Sequence, residues 1–267
     1  MHLRRAPCIS GLLLLAVLTA PPCMAGQYTL VYTNISVGGV ARNFGYYVPP
    51  SYDPSTPAPL LFKFHGGFGD NSEASGGSAE NGYYGWQSSA KKNGFIVLFP
   101  KIECCFGFNT WSLSKDSEDL DFVDALLDWA VDNYTIRKTH VFATGHSWGA
   151  CFSYCVARWR ADDFAAFSAH SGGPGGIPVP AGPDPSPILN AFLLHCKKDG
   201  LVPYAGSQEL YDALVANGHN VYKDNKGADG IIEVDGWGPK FHRYLLAHNQ
   251  AQWDFFMESS KARSRSR

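Results

Sequence analysis

The pentapeptide Gly145-His146-Ser147-Trp148-Gly149 constrains this chain more than any other feature, because it follows the apolar run His140 to Thr144 and precedes a helix-like stretch. A Gly-x-Ser-x-Gly turn between a strand and a helix holds its serine on a strained backbone. The flanking glycines let the chain fold back tightly, and the hydroxyl stands exposed above a sheet. The chemistry expected of such a serine is acyl transfer. With 28 glycines in the chain the bare pattern carries little information, so the surrounding pattern has to decide.

That pattern alternates strands with helices. Apolar, β-branched and aromatic runs at Tyr28 to Val37, Arg42 to Val48, Leu60 to His65, Phe95 to Pro100, His140 to Thr144, Phe164 to Ala169, Ala191 to His195 and Asn220 to Lys223 read as strands. The first two are close enough for a hairpin, and helical patterns separate the later ones. This implies a mostly parallel sheet with helices on both faces, an α/β sandwich. Helices are expected over Tyr83 to Asn93, Ser117 to Tyr134, Trp148 to Trp159, Tyr204 to Asn217 and Asn249 to Glu258. In the second of these, Leu120, Val123, Leu127, Val131 and Tyr134 mark one face, and Glu118, Asp119 and Asp121 sit in the first turn, where the helix dipole favours anions.

The 267 residues, 45% of them hydrophobic, are enough for a large core and are read as one catalytic domain over residues 26–259. Ahead of it, Arg4 and Arg5, the apolar run Gly11 to Ala20 and small residues ending at Ala25 read as a signal peptide, residues 1–25, and hence as export to the extracellular space. The run is too short to span a bilayer, so no membrane association is expected after cleavage. Behind the domain, residues 260–267 read as a disordered basic tail. Without leader and tail, 16 Lys and Arg face 24 Asp and Glu, a net of about −8, which repels nucleic acid. Of the five remaining cysteines, Cys104 or Cys105 is expected to pair with Cys151 in an oxidising compartment, with Cys155 and Cys196 the others.

A serine nucleophile needs a base and an acid, which in α/β hydrolases follow it in the order acid, then histidine, at the carboxyl ends of strands. Asp199 follows the strand Ala191 to His195 and suits the acid, with Asp224, Asp229 and Asp235 as alternatives. Among later histidines, His219 falls where a helix turns back at the opposite edge of the sheet. His248 borders the last helix, whose positive end disfavours an imidazolium. His242, in the loop before that helix, is the preferred base, with His248 kept open. His65, His140, His146, His170 and His195 show no metal-ligand spacing, so no metal is expected. His65-Gly-Gly-Phe-Gly69 lacks the Lys-Ser/Thr of a phosphate loop, and no cofactor is expected either. The oxyanion donors expected are the backbone N–H of Trp148, just after the serine, and of Gly67, or else Phe68, in the loop after Leu60 to Phe64.

Taken together, Leu61-Phe-Lys-Phe-His-Gly-Gly67, Ser117-Glu-Asp-Leu-Asp-Phe-Val-Asp124, Val141-Phe-Ala-Thr-Gly-His-Ser-Trp-Gly149 and Leu194-His-Cys-Lys-Lys-Asp-Gly-Leu-Val-Pro203 resemble the secreted polyhydroxybutyrate depolymerase and feruloyl/acetylxylan esterase group. The likeness spans most of the mature chain. It implies an α/β-hydrolase fold, a Ser-His-Asp triad and hydrolysis of carboxylic esters on polysaccharides or polyesters. Carried over by position, Ser147 and Asp199 match. Phe241-His242-Arg-Tyr244 lacks the Gly-His-x-Trp expected there, Gly67 stands where the depolymerases commonly carry Cys, and Trp148 where Asn is common.

The short connection Ser171 to Pro187 leaves no room for a large lid, so the serine is expected in an open cleft that admits a polymeric ester. Phe68, Tyr83, Tyr84, Trp86, Phe106, Phe108, Trp111 and Trp237 are expected in or beside loops on that side, either stacking on sugar or phenolic rings or packing the core. Two other readings remain: a serine peptidase of the same fold, and a secreted binding protein on a non-catalytic hydrolase scaffold.

Overall fold

The parallel register of the chain centres on one place where the strand order reverses. The computed structural model describes residues 30–67, 85–102, 110–180, 187–222, 231–233, 242 and 244–259. Among these, strands β1 (Val31–Val37), β2 (Val40–Tyr47), β3 (Ala58–Phe64), β4 (Ile96–Pro100), β5 (Ile136–His146), β6 (Ala166–His170), β7 (Asn190–His195), β8 (Asn220–Val221) and β9 (Ile231–Glu233) form one sheet. Its order is β1-β2-β4-β3-β5-β6-β7-β8, with β9 also paired to β7. The β1–β2 and β2–β4 pairs are antiparallel; every pairing from β4 through β3 to β8 and β9 is parallel. After β3 the chain steps to β4 on one side and then crosses to β5 on the other. The carboxyl ends of β3 and β5 therefore flank the crevice where open α/β sheets bind ligands.

The pleat sends alternate side chains into two cores, as a strand period of two requires. On one face Leu60, Phe62, Phe64, Ile96, Leu98, Val141 and Ala143 pack with residues of α2 (Glu118–Asn133), α3 (Trp148–Trp159) and α4 (Tyr204–Ala216). On the other, Leu61, Val97, Phe99 and Phe142 meet α1 (Trp86–Asn93) and α5 (Asn249–Glu258). The expected α/β sandwich is thus present, with helices on both faces. The strand β5 is longer than expected, because Ile136 already pairs with Ala58. β9 was not anticipated; its three residues carry too short a pattern to be recognised.

Within α2 the inward face is rotated from the one expected. Leu120 and Val123 are buried, but Phe122, Leu126 and Ala130, spaced by four, join them, whereas Leu127 and Val131 are only partly buried. Asp119 explains the rotation. Its carboxylate lies on the buried side, 2.6 Å from Arg42 Nη2, and accepts the backbone N–H of Ser112 at 2.8 Å. Arg42 also stacks its guanidinium over the Phe122 ring at 4.4 Å. Ser117 caps the helix, its Oγ accepting the Leu120 N–H at 3.3 Å.

Trp86 and Trp111 are 0% and 1% exposed, so both belong to the core rather than to a substrate platform. Phe68, Tyr83, Tyr84, Phe106, Phe108 and Trp237 lie outside the described residues, as do the expected leader, the basic tail, Cys104 and Cys105. Among the described residues Cys151, Cys155 and Cys196 are buried free thiols, so the expected disulfide to Cys151 is not found. No helix among these residues is long and apolar enough to cross a membrane.

Because the Arg42 and Asp119 side chains are only 10% and 13% exposed, removing one partner strands a charge in the interior. Asp119→Ala is expected to lose about 3–5 kcal/mol of unfolding free energy in urea titration at neutral pH, and a loss below about 1 kcal/mol would contradict this reading of the pair.

Candidate active site

Strand β5 ends at His146 and helix α3 begins at Trp148, leaving Ser147 alone to turn the chain. Its backbone sits at φ 57° and ψ −124°, a conformation that costs a residue with a Cβ about 1–3 kcal/mol. The surroundings hold it there. The Ser147 N–H donates to the His170 carbonyl of β6 at 2.9 Å, and its own carbonyl accepts from Ala150 and Cys151 in the first turn of α3. A methyl group on Gly145 would run into the Gly149 carbonyl, and one on Gly149 into the carbonyls of Phe64 and His65. Helix α3 can therefore begin against the end of β3 only because both positions lack a side chain.

The segment after β7 carries Asp199, the candidate acid. Leu201 and Val202 both donate their N–H to Asp199 Oδ1 at 2.9 Å, and the carboxylate is fully enclosed, with 0% side-chain exposure. Its other oxygen, Oδ2, lies 2.7 Å from His242 Nδ1. Burial pushes the Asp199 carboxyl up, but the His242 contact and the two backbone donors outweigh it and hold it below the ordinary carboxylate range. With Nδ1 engaged by a carboxylate, His242 carries its proton there and presents Nε2 as the basic nitrogen. That Nε2 is buried and has no hydrogen-bond partner among the described residues.

Two contacts fix the loop that carries His242. Its ring packs on that of His146 at 4.6 Å between centroids. Two residues on, Tyr244 is buried, its hydroxyl donating to Asn249 Oδ1 at 2.7 Å and accepting the Trp86 indole N–H at 2.7 Å. Gln252 of α5 adds a bond to the same hydroxyl at 3.3 Å and accepts from Ser168 of β6 at 2.7 Å. Trp86 is thus a brace for this loop.

Beside Ser147 runs the loop after β3. A Cβ on Gly66 would lie 3.4 Å from Ser147 Cβ, and one on Gly67 3.8 Å from Trp148 Cβ. His65 sets the peptide between these glycines. Its Nε2 accepts the Ile102 N–H at 3.2 Å, so its proton is on Nδ1, which donates to the Gly66 carbonyl at 2.7 Å. A trans peptide opposes its C=O and N–H, so the Gly67 N–H points away from that ring. As the first residue of α3, Trp148 has an N–H with no partner within the helix. Trp148 is 37% exposed, and its indole N–H donates to the Trp111 carbonyl at 2.7 Å. Trp111 in turn donates to the His65 carbonyl at 2.9 Å.

The structure thus sets Ser147, Trp148 and Gly67 side by side at the carboxyl ends of β5 and β3, and pairs Asp199, after β7, with His242, whose ring packs on His146 next to Ser147. His248 lies elsewhere, in a single 3-10 turn (Leu246–His248) leading into α5. His219 binds Leu189 N–H and the Pro180 carbonyl and is structural. Asp224, Asp229 and Asp235 lie outside the described residues. Among the described residues no group of three or more His, Cys, Asp or Glu could hold a metal ion.

Two residues escaped the sequence reading. Ser171, like Ser147, follows a strand-ending histidine and has a positive φ of 57°; it is 1% exposed, and its Oγ has no partner among the described residues. The recurrence of His-Ser-x-Gly at His170-Ser171-Gly172-Gly173 was the available signal. His195 is the other, with its Nε2 3.3 Å from Asp199 Oδ2.

No protein-family model matches the chain. It is 30% identical over 231 residues to a probable feruloyl esterase C of Aspergillus flavus, covering 79% of this chain and 82% of that protein. A probable feruloyl esterase C of Aspergillus niger is 28% identical over 237 residues, covering 81% and 84%. Among solved structures, the feruloyl esterase module from Clostridium thermocellum complexed with sinapinate superposes with a TM-score of 0.64 at 12% identity, covering 90% of this chain and 91% of that one. That last likeness supports the α/β-hydrolase fold.

Burial sets the acid response of the fold. It pushes His146 and His170 well below the ordinary imidazole range; repulsion from His170 adds to this for His146, and repulsion from the buried Lys63 adds to it for His170. Between those depressed values and about 6.5 the unfolded chain binds protons that the native state does not, so stability rises with pH. Urea midpoints measured from about pH 7 down to about pH 5.5 should fall, each histidine contributing up to about 1.4 kcal/mol per pH unit; a flat profile would contradict the buried, neutral state of the two rings.

Proposed function

The chain belongs to the feruloyl esterase C family of α/β-hydrolases, and on that premise we propose that it is a secreted serine esterase that cleaves polysaccharide-linked feruloyl or related esters through a Ser-His-Asp acyl-enzyme. In this reading, residues 26–259 are the catalytic domain, released from the leader before it and followed by the basic tail at 260–267. The observation that carries the mechanism is the 2.7 Å contact between His242 Nδ1 and Asp199 Oδ2, which leaves His242 Nε2 without a partner beside the strained turn at Ser147.

The chemistry follows from those groups. His242 Nε2 takes the proton of Ser147 Oγ as the oxygen attacks the ester carbonyl, while Asp199 holds the ring and stabilises the imidazolium that forms. The negative charge that develops on the carbonyl oxygen is met by the N–H groups of Trp148 and Gly67, which need no reorganisation at that moment. His242 then returns the proton to the leaving alcohol, leaving the acid esterified to Ser147, and water reverses the sequence. Because the Asp199 carboxyl is held low, it remains ionised throughout the acid limb, and that limb reports protonation of the base.

What supports an aromatic acyl group is the surface beside the serine. Trp148 presents an exposed indole whose N–H is tied back to Trp111, so its ring is held in place at low entropic cost. Leu201, two residues after Asp199, is an exposed apolar side chain at 69%. A flat phenolic ring gains more from such a wall than an acetyl group does.

Methyl ferulate, acetylated xylan, p-nitrophenyl butyrate and short-chain polyhydroxybutyrate, assayed side by side, test the reading. Methyl ferulate is expected to be the best substrate by kcat/KM. Ser147→Ala and His242→Ala should each lose roughly 10⁴-fold or more, whereas His248→Ala should retain turnover near wild type. Peptide cleavage without ester cleavage, or a Ser147→Ala enzyme as active as wild type, would overturn it.

A further inference from the structure

The two backbone donors assigned above to the oxyanion stand on separate segments, Gly67 in the loop after β3 and Trp148 at the start of α3. Two donors serve one oxygen well only if their spacing is set before the charge appears. Gly66 and Gly67 give their loop little stiffness of its own. Residues 110–112 lie against both segments. A Cβ on Gly67 would be 3.8 Å from Thr110 Cγ2 and 3.8 Å from Trp148 Cβ. Trp111, the next residue, is 1% exposed. Its ring stacks on Phe152 of α3 at 4.6 Å and meets Phe64, at the end of β3, edge-on at 5.2 Å; the His65 ring is 4.9 Å away. Its polar groups reach the same two segments. The indole N–H donates to the His65 carbonyl at 2.9 Å, and the Trp111 carbonyl accepts the Trp148 indole N–H at 2.7 Å. One buried side chain is thus wedged between the two elements, and one residue is bonded to both.

These bonds act on successive peptides. The His65 carbonyl belongs to the peptide that joins His65 to Gly66, and Trp111 holds it. The Gly66 carbonyl belongs to the next peptide, and His65 Nδ1 holds it at 2.7 Å. Because each peptide is planar, the two held carbonyls orient both units, and the second carries the Gly67 N–H. Trp111 is anchored in turn. The N–H of Ser112 donates to Asp119 Oδ2 at 2.8 Å, while Asp119 Oδ1 accepts from Arg42 Nη2 at 2.6 Å. A hydrogen bond to an ionised carboxylate is about twice as strong as a neutral one, so the backbone on the far side of Trp111 is well held. The buried pair of Arg42 and Asp119 therefore does more than join β2 to α2. It fixes the residue that both candidate donor segments lean on.

We propose that Trp111 is a positioning residue for the oxyanion site: bonded to the β3 loop through its indole N–H and to Trp148 through its carbonyl, it sets the spacing of the Gly67 and Trp148 N–H groups. The proposal rests on the esterase reading above. At 1% exposure Trp111 acts through its neighbours and not on the substrate.

Trp111→Phe keeps a ring against Phe152 and removes the indole N–H. Its kinetics on methyl ferulate are to be compared with wild type in the presence of two inhibitors. One is ferulate; the other is a vinylboronic acid with the same phenolic ring, whose boron takes the Ser147 oxygen and becomes a tetrahedral anion. Trp111→Phe should lower kcat by about 10- to 100-fold while KM stays within about threefold. The boronic acid, which resembles the transition state, should bind more weakly by a factor similar to the loss in kcat, with ferulate affinity within about threefold of wild type. A purely structural role would cost folded molecules, lowering kcat with boronic acid affinity unchanged. That result, or a kcat within about twofold of wild type, would overturn the proposal. Should Trp111→Phe fail to fold, a tryptophan isostere with sulfur in place of the indole N–H, placed at position 111 alone, removes the donor and keeps the shape. The same paired loss is expected of it, and unchanged boronic acid affinity would overturn the proposal. Turnover that survives in Ser147→Ala refutes the esterase reading itself, whereas a dead Ser147→Ala enzyme beside an unimpaired Trp111→Phe refutes only the role of Trp111.

Discussion

The arrangement of this molecule depends on forcing a residue with a side chain into a backbone conformation that side chains avoid. Ser147 occupies φ 57° because three segments close on it at once: the carbonyl end of β3, the first turn of α3 and the end of β6. A strain of about 1–3 kcal/mol survives only where packing over-determines it. Here Gly145 and Gly149 supply the space, and the backbone bond from Ser147 to His170 supplies the hold. The reversal of strand order between β3 and β5 places that strained turn at the mouth of the crevice, beside the loop of Gly66 and Gly67.

Much of this could be read from the residues alone. The strand–turn–helix setting of Ser147 was legible because its two elements have opposite periodicities and the glycines punctuate them. Asp199 was legible from its place after a strand. His242 could be preferred but not separated from His248, because only the fold brings the chain back so that one histidine reaches Asp199. Trp86 and Trp111 were ambiguous for a different reason: an indole in a loop looks the same whether it faces substrate or, as here, donates to Tyr244 and His65 inside the protein. The rotated face of α2 was hidden because Asp119 looks like a dipole-favoured first-turn anion, while its partner Arg42 is 77 residues away.

The histidines around Asp199 show how burial assigns chemistry to one of several similar groups. His146 and His170 are enclosed and pushed down, so they pack as neutral rings. His195 is enclosed but committed at both nitrogens, to Ser207 on one side and to Val202 and Asp199 on the other. In the proposed mechanism His242 combines an Nδ1 engaged by a carboxylate with an uncommitted Nε2, which is what a general base requires. Ser171 makes the same point for the nucleophile. It repeats the histidine neighbour and positive φ of Ser147, yet it is 1% exposed and cannot meet a substrate.

That distinction allows the central claim to be tested in a single measurement. An organophosphate ester that phosphorylates activated serines can be reacted with the enzyme and the modified peptide identified by mass spectrometry as activity is lost. The account predicts one adduct per chain, on Ser147, formed in step with the loss of esterase activity. An adduct on Ser171 or another serine, or full inactivation with Ser147 unmodified, would contradict it.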